Sequence, residues 1–430
     1  MKTDLAFQDY KIVKEKVFQR TLTNGLHLVL IPKKDYHDTF AVMTARFGAA
    51  DTVFKPKNRK KFQAFPEGAA HFLEHRLFDM KEGQDAMQLL SHLGSDVNAF
   101  TGFRQTSYYF SCQENLLESL EVLQSFTALS NLRKEAVQRE KSIISQEIKM
   151  YQDDPDHQLY TSILGQLYPE TALAEDIAGS LPSIEKISQA TLQACFDVFY
   201  HPSNMLLLLV GNFDVDEVVA AVETFQSKRR PRKEWPIDKA PLPFLPVRPS
   251  ASKEMLSSGP KLAVGLRGKV SLTDVSTLSY RLALRLLFSM LLGWTSSTYQ
   301  QWYQLGKIDD SFSIEVEVTK LYRFVIITLD TSEPLAMSKR IRQLIQSFRG
   351  SKDLTEQHLE LVKREFYGNF LQSLNTLEFI ATEYASAWVE GEDLFELPDI
   401  LSQLSLEDVI EVGNDFISGS EMTDFIIFPK

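Results

Sequence analysis

Cysteine is scarce in this sequence: Cys112 and Cys195 are the only two cysteines in 430 residues. Two thiols cannot form a disulfide framework or a cysteine-rich zinc site, and they fit a reducing compartment. Long apolar runs are also missing, since none reaches the roughly 18 residues that a membrane-spanning helix needs. The first residues alternate in charge and lack the apolar segment of a signal peptide. These absences predict a cytoplasmic protein without a membrane span.

Positive charge is in deficit as well, with 46 lysines and arginines against 57 aspartates and glutamates and a formal net charge of −11. A nucleic-acid-binding protein would need a basic face, so this class is disfavoured. The apolar fraction of 44% and the charged fraction of 24% are typical of a globular protein. The length suggests about two or three domains.

The periodicity of apolar residues changes along the first half of the chain. Strand-like alternation surrounds an Asn24-Gly25 turn and continues in 39–48, and a segment at 95–112 predicts a hairpin. Residues 205–210 form a further apolar strand pattern. Helical periodicity occurs at 67–80, 84–93, 114–128 and 134–152. The mixture predicts an α+β fold in which helices cover a largely antiparallel sheet.

Proline marks the clearest boundary in the chain. Six prolines lie between Pro231 and Pro249, and such density indicates a stiff, extended connector. We therefore predict an N-terminal domain at 1–228, a linker at 229–250 and a C-terminal domain at 251–430.

The two halves resemble each other in sequence. Residues 187–211 align without gaps with a segment within 404–429, so that Phe199 matches Phe416 and Met205 matches Met422. Both segments predict a helix, a turn and an apolar strand at the end of a half, which indicates a duplicated domain. The second half has no counterpart of the His71–His75 motif, because its helix near 280–291 is apolar.

That motif, H-F-L-E-H, suggests a metal site. Residues four apart share a helical face, so His71 and His75 can converge on one ion, with Glu74 beside them. Zinc bound by imidazole nitrogens lowers the pKa of a bound water to about 7, and a neighbouring carboxylate can then act as general base. The alternative is an amphipathic core helix, but buried histidine and glutamate are costly unless they are paired or bound to metal.

A catalytic zinc site needs a third protein ligand. The helix pattern at 139–156 places Glu140 and Glu147 seven residues apart on one face. One glutamate could bind the metal while the other orients a histidine through its free N–H. The spacing does not decide which glutamate has which role, and an acidic helix face is often only solvated.

Together, these motifs resemble those of a known family. H-x-x-E-H followed by a helix with two glutamates seven apart is similar to the pitrilysin or inverzincin zinc peptidases, in particular to the mitochondrial-processing-peptidase-like branch and its Gram-positive bacterial members. The resemblance extends over nearly the whole chain. It is carried by LTNGLHLVLIPK, FGAAD, GAAHFLEHRLF, VNAFTGFRQTSYYF, EKSIISQEIKMYQDDPD and FYHPSNMLLLLVGNFD.

The resemblance implies a role for each site residue. His71, His75 and Glu147 would bind Zn²⁺, Glu74 would be the general base, and Glu140 would orient a ligand from behind. It also implies paired α+β domains that enclose a chamber. The peptide substrate would add to an edge strand matching Val97–Thr101, where the main chain near Asn98, Ala99 and Phe100 would bind it, a mode that demands little of the peptide's sequence.

One departure from the family pattern concerns the second half. Active relatives hold the substrate carbonyl with an arginine and a tyrosine, but Gln304 and Asp309 or Asp310 stand at the matching positions of 296–316. The resemblance therefore implies a homologous partner subunit that supplies the arginine and tyrosine. The alternative is a homodimer that uses another clamp, such as Tyr299 or Tyr303.

These patterns predict a zinc-dependent endopeptidase that hydrolyses peptides or unfolded segments. The alternatives are a non-catalytic peptide-binding or assembly subunit of a peptidase-like heterodimer, and a metal hydrolase with a non-peptide substrate. Structural or surface roles are predicted for the histidines outside the motif, namely His27, His37, His92, His157, His201 and His358.

Overall fold

The structure is a computed structural model that describes residues 5–56, 59–228, 237–269 and 276–430. The first part of the predicted linker, 229–236, lies outside the described residues. Residues 237–250 form no helix or strand, apart from a single bridge between Lys239 and Phe54, as expected for a proline-rich connector.

The strands and helices of the described residues follow the predicted alternation. The strands are β1 (Ala6–Tyr10), β2 (Glu15–Thr21), β3 (His27–Pro32), β4 (Thr39–Ala45), β5 (Val53–Phe54), β6 (Gln63–Ala64), β7 (Asp96–Thr101), β8 (Thr106–Cys112), β9 (Met205–Gly211), β10 (Ala251–Met255), β11 (Lys261–Arg267), β12 (Ser313–Val318), β13 (Arg323–Asp330) and β14 (Glu421–Pro429). The helices of the first half are α1 (Ala69–Leu77), α2 (Ala86–His92), α3 (Leu116–Ala128), α4 (Lys134–Asp153), α5 (Pro155–Leu167), α6 (Leu181–Lys186), α7 (Gln189–Phe199) and α8 (Val215–Ser227). Those of the second half are α9 (Thr277–Leu292), α10 (Ser297–Gln304), α11 (Pro334–Gln346), α12 (Glu356–Ser373), α13 (Leu377–Glu390), α14 (Leu397–Gln403) and α15 (Leu406–Ser418).

The described residues divide into two compact units. Unit 1 draws on Met1–Ile148, Asp176–Ala240 and Ser373–Phe395, and unit 2 on the remaining segments. Each unit thus includes a helix from the other half of the chain: α5 belongs to unit 2 and α13 to unit 1. The sequence did not indicate this exchange, and the predicted boundaries at 228 and 251 stay a prediction.

Unit 1 is built on a seven-stranded sheet in the order β1-β2-β3-β9-β4-β8-β7. Every residue of β4 and of β9 is buried, because helices cover the centre of the sheet; α3 packs on β4 and β8, and α13 packs on β4 and β9. Burial on both faces explains why these strands have continuous apolar runs in place of alternation. At the end of the sheet, β7 has β8 as its single neighbour.

Unit 2 repeats this topology in a five-stranded sheet, β10-β14-β11-β13-β12. In unit 1 β3 pairs in parallel with β9, and in unit 2 β10 pairs in parallel with β14. The next three pairings in each sheet are antiparallel. The predicted fold class, α+β with two duplicated and largely antiparallel sheets covered by helices, is confirmed. The aligned segments 187–211 and 404–429 occupy corresponding places, as α7 with β9 and α15 with β14.

None of the helices in the described part of the chain combines the length and apolar character that crossing a bilayer requires.

Candidate metal centre and peptide-binding strand

The helix with the H-x-x-E-H motif begins at a glycine that has no room for a side chain. Gly68, the residue before α1, has a left-handed backbone with φ of 82°. A Cβ at this position would lie 2.9 Å from the carbonyl carbon of Ala178 and closer still to its oxygen. Glycine adopts this conformation without steric cost, so Gly68 lets α1 start in contact with the segment around Ala178.

The first turns of α1 are almost completely buried. Among its nine residues, eight are buried, including His71, Glu74 and Arg76. Ionisable groups in such a position need partners. The neighbouring helix α4 supplies two of them, Glu140 and Glu147.

His71, His75 and Glu147 come together at one point. The Nε2 atom of His71 lies 3.5 Å from Oε1 of Glu147, and the Nε2 atom of His75 lies 3.8 Å from Oε2 of Glu147. One ligand atom from each residue lies within 4.8 Å of the others, and no further group of three such side chains occurs among the described residues. The predicted ligands therefore converge.

The residues fit a zinc ion. Ligand atoms about 2 Å from a tetrahedral zinc are roughly 3.3 Å apart, which is close to the two histidine–glutamate separations. Two imidazole nitrogens and one carboxylate oxygen are a donor set found at catalytic zinc sites. The other ring nitrogen of His71, Nδ1, is buried and has no hydrogen-bond partner among the described residues, so the protein itself leaves this ring poorly satisfied.

Glu140 holds the ring of His75 from behind. Its Oε1 lies 3.1 Å from Nδ1 of His75, and its Oε2 accepts a hydrogen bond of 2.7 Å from Arg76. Burial raises the pKa of Glu140, but the hydrogen bonds from His75 and Arg76 outweigh it, and the pKa lies below its usual value. Burial lowers the pKa of His75, whereas Glu140 and the nearby carboxylates raise it more, so the net shift is upward.

Arg76 completes this arrangement and was not among the predicted site residues. Its guanidinium also bonds to Asp79 and lies between that carboxylate and Glu140. The signal available in the sequence was an arginine directly after His75, on a helix whose other ionisable residues are those of the H-x-x-E-H motif.

Glu74 is buried beside the two histidines. Burial raises its pKa, which the nearby His71 and a hydrogen bond from Thr101 offset only in part. The Thr101 hydroxyl donates a hydrogen bond to Oε2 of Glu74. The sequence predicted Thr101 as the end of an edge strand and not as a hydrogen-bond partner of Glu74.

The predicted substrate strand is the edge strand β7, and α1 packs on it. The Ala99 amide donates a hydrogen bond of 2.8 Å to the side-chain oxygen of Asn98. In an antiparallel pair, alternate residues direct their N–H away from the neighbouring strand. The Asn98 contact indicates that the Ala99 N–H points to the open edge, and Asn98, Ala99 and Phe100 thus lie where a peptide strand could be added.

In unit 2, the stretch at 296–316 contains α10, a loop and the start of β12. Gln304 ends α10, and Asp309 and Asp310 lie in the loop that follows. The rings of Tyr299 and Tyr303 stack 5.9 Å apart. Positions 304, 309 and 310 hold neither arginine nor tyrosine.

The other histidines make local contacts. His27 packs on Trp388 and His157 on Tyr151. His92, His201 and His358 lie within hydrogen-bond distance of Gln88, Ser203 and Thr295, and His37 is exposed.

Comparisons with known proteins agree with this architecture. The family profile described as insulinase (peptidase family M16) matches residues 65–180, the range that holds the H-x-x-E-H motif and both glutamates. The profile described as peptidase M16 inactive domain matches residues 186–366.

Individual relatives cover the whole chain. An uncharacterized zinc protease of Bacillus subtilis (strain 168), YmfH, is 34% identical over 425 residues, 98% of this chain and 99% of that protein. The crystal structure of an M16-like peptidase from Alicyclobacillus acidocaldarius has 26% identity and a TM-score of 0.89, with complete coverage of both chains. A protease from Helicobacter pylori shares the fold with a TM-score of 0.80 at 18% identity, over 96% of this chain and 100% of that one.

The duplicated α+β units and the convergent histidines and glutamate define the class, that of the zinc-protease-like proteins. The chain belongs to peptidase family M16, which confirms the predicted family, and the relatives named above are bacterial.

The close approach at Gly68 predicts a specific stability difference. Gly68→Ala should destabilise the protein by more than Gly94→Ala, because both glycines have φ near +80° but a Cβ at Gly94 would meet nothing within 4 Å. The left-handed conformation alone should cost about 1–2 kcal/mol in each variant. Denaturant unfolding measures both values, and equal losses would contradict steric contact at the start of α1.

Proposed function

We propose that this chain is a zinc-dependent endopeptidase that hydrolyses peptides or unfolded segments. The observation that carries the proposal is the convergence of His71, His75 and Glu147 on one point, with the carboxylate of Glu74 on the same helix. Membership in a family whose relatives are named zinc proteases supports it.

The metal would be held by His71, His75 and Glu147. Zinc in such a site supplies a Lewis acid that polarises a carbonyl and makes a water molecule more acidic. Glu140 keeps His75 in the orientation in which Nε2 faces Glu147, and a carboxylate behind a ligating imidazole also strengthens it as a ligand.

Glu74 would act as the general base and then as the acid. Its Oε1 would take a proton from the attacking water and return it to the leaving amine of the cleaved peptide bond. Thr101, bonded to Oε2, fixes the carboxylate so that the other oxygen faces the reaction. The raised pKa of Glu74, caused by burial, brings the carboxylate nearer to the value that suits proton exchange at neutral pH.

The edge of β7 would bind the substrate as an added strand along Asn98, Ala99 and Phe100, with hydrogen bonds to the outward-facing main chain of Ala99. Recognition through the main chain explains how varied peptides could be accepted, provided that they are extended. A folded substrate has few free strand segments, which favours peptides or unfolded segments. A hydrolase for non-peptide substrates would not need the open edge of this strand for substrate binding.

The carbonyl clamp would come from a homologous partner subunit. The proposal is supported by Gln304, Asp309 and Asp310 at the positions where active relatives have arginine and tyrosine. A homodimer that uses Tyr299 or Tyr303, whose ring is half exposed, is the alternative. A cytoplasmic location is also proposed, supported by Cys112 and Cys195, which are free thiols in buried positions.

The first test separates metal binding from catalysis. Glu74→Gln should retain about one zinc per chain but lose peptide cleavage by 100-fold or more, since a general base contributes roughly 10²–10⁴-fold. Glu147→Gln should lose zinc as well, and the exposed Glu135→Gln on the same helix should change neither. Zinc is measured by atomic emission and cleavage with a quenched fluorogenic peptide.

Two results would reject the endopeptidase. Absence of zinc from the purified wild type would remove the metal site. Absence of cleavage by the wild type as well as by Glu74→Gln, in any assembly, would favour the non-catalytic peptide-binding or assembly subunit.

The second test concerns the edge strand. Ala99→Pro removes one outward N–H without removing a bond to β8, because proline is tolerated on an edge where the N–H faces outward. KM for an extended peptide should rise about fivefold with zinc content unchanged, if one main-chain hydrogen bond is worth about 1 kcal/mol. Ala99→Val keeps the N–H and should leave KM near wild type, and a similar rise in both variants would argue against strand addition.

The third test concerns the partner. A chain encoded in the same genome that lacks H-x-x-E-H and has arginine and tyrosine in the stretch matching 296–316 should form a 1:1 complex with this chain, measured by light scattering. Cleavage should rise on mixing and fall when that arginine is replaced by alanine. Full activity of the isolated chain as a homodimer would contradict the heterodimer and leave the Tyr303→Phe variant to test the alternative clamp.

A further inference from the structure

Helix α13 contacts the hairpin that contains the substrate strand. It is supplied by the second half of the chain but is part of unit 1, where it packs on β4 and β9. Near its C-terminal end, Ser386 accepts a hydrogen bond of 3.1 Å from Gln105, and Glu390 lies 3.5 Å from the Nε atom of Arg104. Arg104 and Gln105 belong to the turn that joins β7 to β8.

The opposite side of this turn is held by main-chain contacts. The amides of Ala49 and Ala50 donate to the carbonyl oxygens of Gly102 and Phe103, each at 2.9 Å. A Cβ on Gly48 would lie 2.5 Å from the Arg104 amide nitrogen, so the two segments cannot come closer. The turn is therefore fixed by its backbone on one side and by two side chains on the other.

Glu390 is an unexpected residue for a position with a purely structural role. It is 8% exposed and occupies the last position of α13, where the negative end of the helix dipole disfavours a carboxylate. Its Oε2 is buried and has no hydrogen-bond partner among the described residues. A buried, half-satisfied charge is a poor source of stability, which points to the placement of Arg104 as its purpose.

Arg46 is a second arginine near Glu390. Its guanidinium packs 3.7 Å from the ring of Trp388 and donates 2.6 Å to the Trp388 carbonyl oxygen. This contact ties the last turn of α13 to the end of β4. The Oε1 atom of Glu390 lies 3.5 Å from the Nε atom of Arg104 in the β7–β8 turn.

The turn is connected to Glu74 through Thr101. Thr101, the last residue of β7, bonds to Glu74, and Arg104 lies three residues further along the chain. A shift of the turn would move the edge strand and the Thr101 hydroxyl together. Since a misplacement of about 1 Å can cost on the order of 100-fold in rate, the position of this turn matters for the reaction.

We propose that Glu390 and Ser386 of α13 are positioning residues: through Arg104 and Gln105 they fix the β7–β8 turn and so align the substrate strand and Thr101 with Glu74. The inference rests on the proposed peptidase function, and it assigns a role to a segment nearly 300 residues away from the strand that it aligns.

The test uses Glu390→Gln and Ser386→Ala in the full chain, together with any partner that cleavage requires. In both variants, kcat/KM should fall about tenfold, while zinc content and the midpoint of thermal unfolding stay close to wild type. Amide hydrogen exchange should become faster at 99–105 but not in β9. Ser386→Thr, which keeps the hydroxyl, should restore exchange and activity, and Glu383→Gln, an exposed glutamate of the same helix, should change neither.

Hydrogen exchange separates this inference from the proposed function. If the wild type cleaves nothing but exchange at 99–105 rises in both variants, the peptidase proposal fails and the positioning of the turn stands. Unchanged exchange at 99–105 in both variants overturns the inference, even where activity falls. Faster exchange throughout β9 as well as the turn would show a general loss of stability and would also overturn it.

Discussion

Burial of charged side chains on α1 is the constraint that organises the surroundings of the site. A helix that carries two histidines, a glutamate and an arginine in a nearly water-free position is unfavourable unless each group has a partner. Helix α4 supplies Glu140 and Glu147 as partners, and β7 supplies Thr101. The elements that approach α1 are thus selected by charge and hydrogen bonding as well as by apolar packing. A metal ion at the point where His71, His75 and Glu147 meet would be bound by the Nε2 atoms of both histidines and by the Glu147 carboxylate.

The duplication explains why the chain has two similar units, and within the described ranges one such group of side chains occurs, in unit 1. Both units share a parallel pair followed by three antiparallel pairings, so the fold itself does not require ionisable residues on a helix. In unit 2, the long helix α9 is apolar over most of its length, with twelve buried residues. Its buried apolar residues pack in the hydrophobic core of unit 2, and Tyr280 donates a hydrogen bond to Asp415.

Sequence patterns predicted the elements well where the signal is local. The period of apolar residues placed α1, α4 and the β7–β8 hairpin, and the spacing of Glu140 and Glu147 put both on one face of α4. Contacts between distant segments had no such signal. An amphipathic helix shows that one face is buried but not which sheet covers it, so the exchange of α5 and α13 between the halves was not predictable. The contacts of Arg104 and Thr101 depend on this tertiary placement, and the role of Gly68 depends on the close approach of Ala178.

In the proposed peptidase, a single strand would connect recognition and chemistry. The main chain of β7 would offer the edge for a peptide, and the side chain of Thr101 at its end would hold the base, Glu74. A peptide that adds to the strand in the wrong register would leave its scissile bond away from Glu74, since the strand and the carboxylate are fixed to each other by Thr101. Binding through the main chain can therefore be independent of the peptide's side chains and still select its register. The chain would accept many peptide sequences but only one register on β7. In the proposed peptidase the hairpin would have to be rigid for catalysis, and both its turn and its end are anchored to other elements of unit 1.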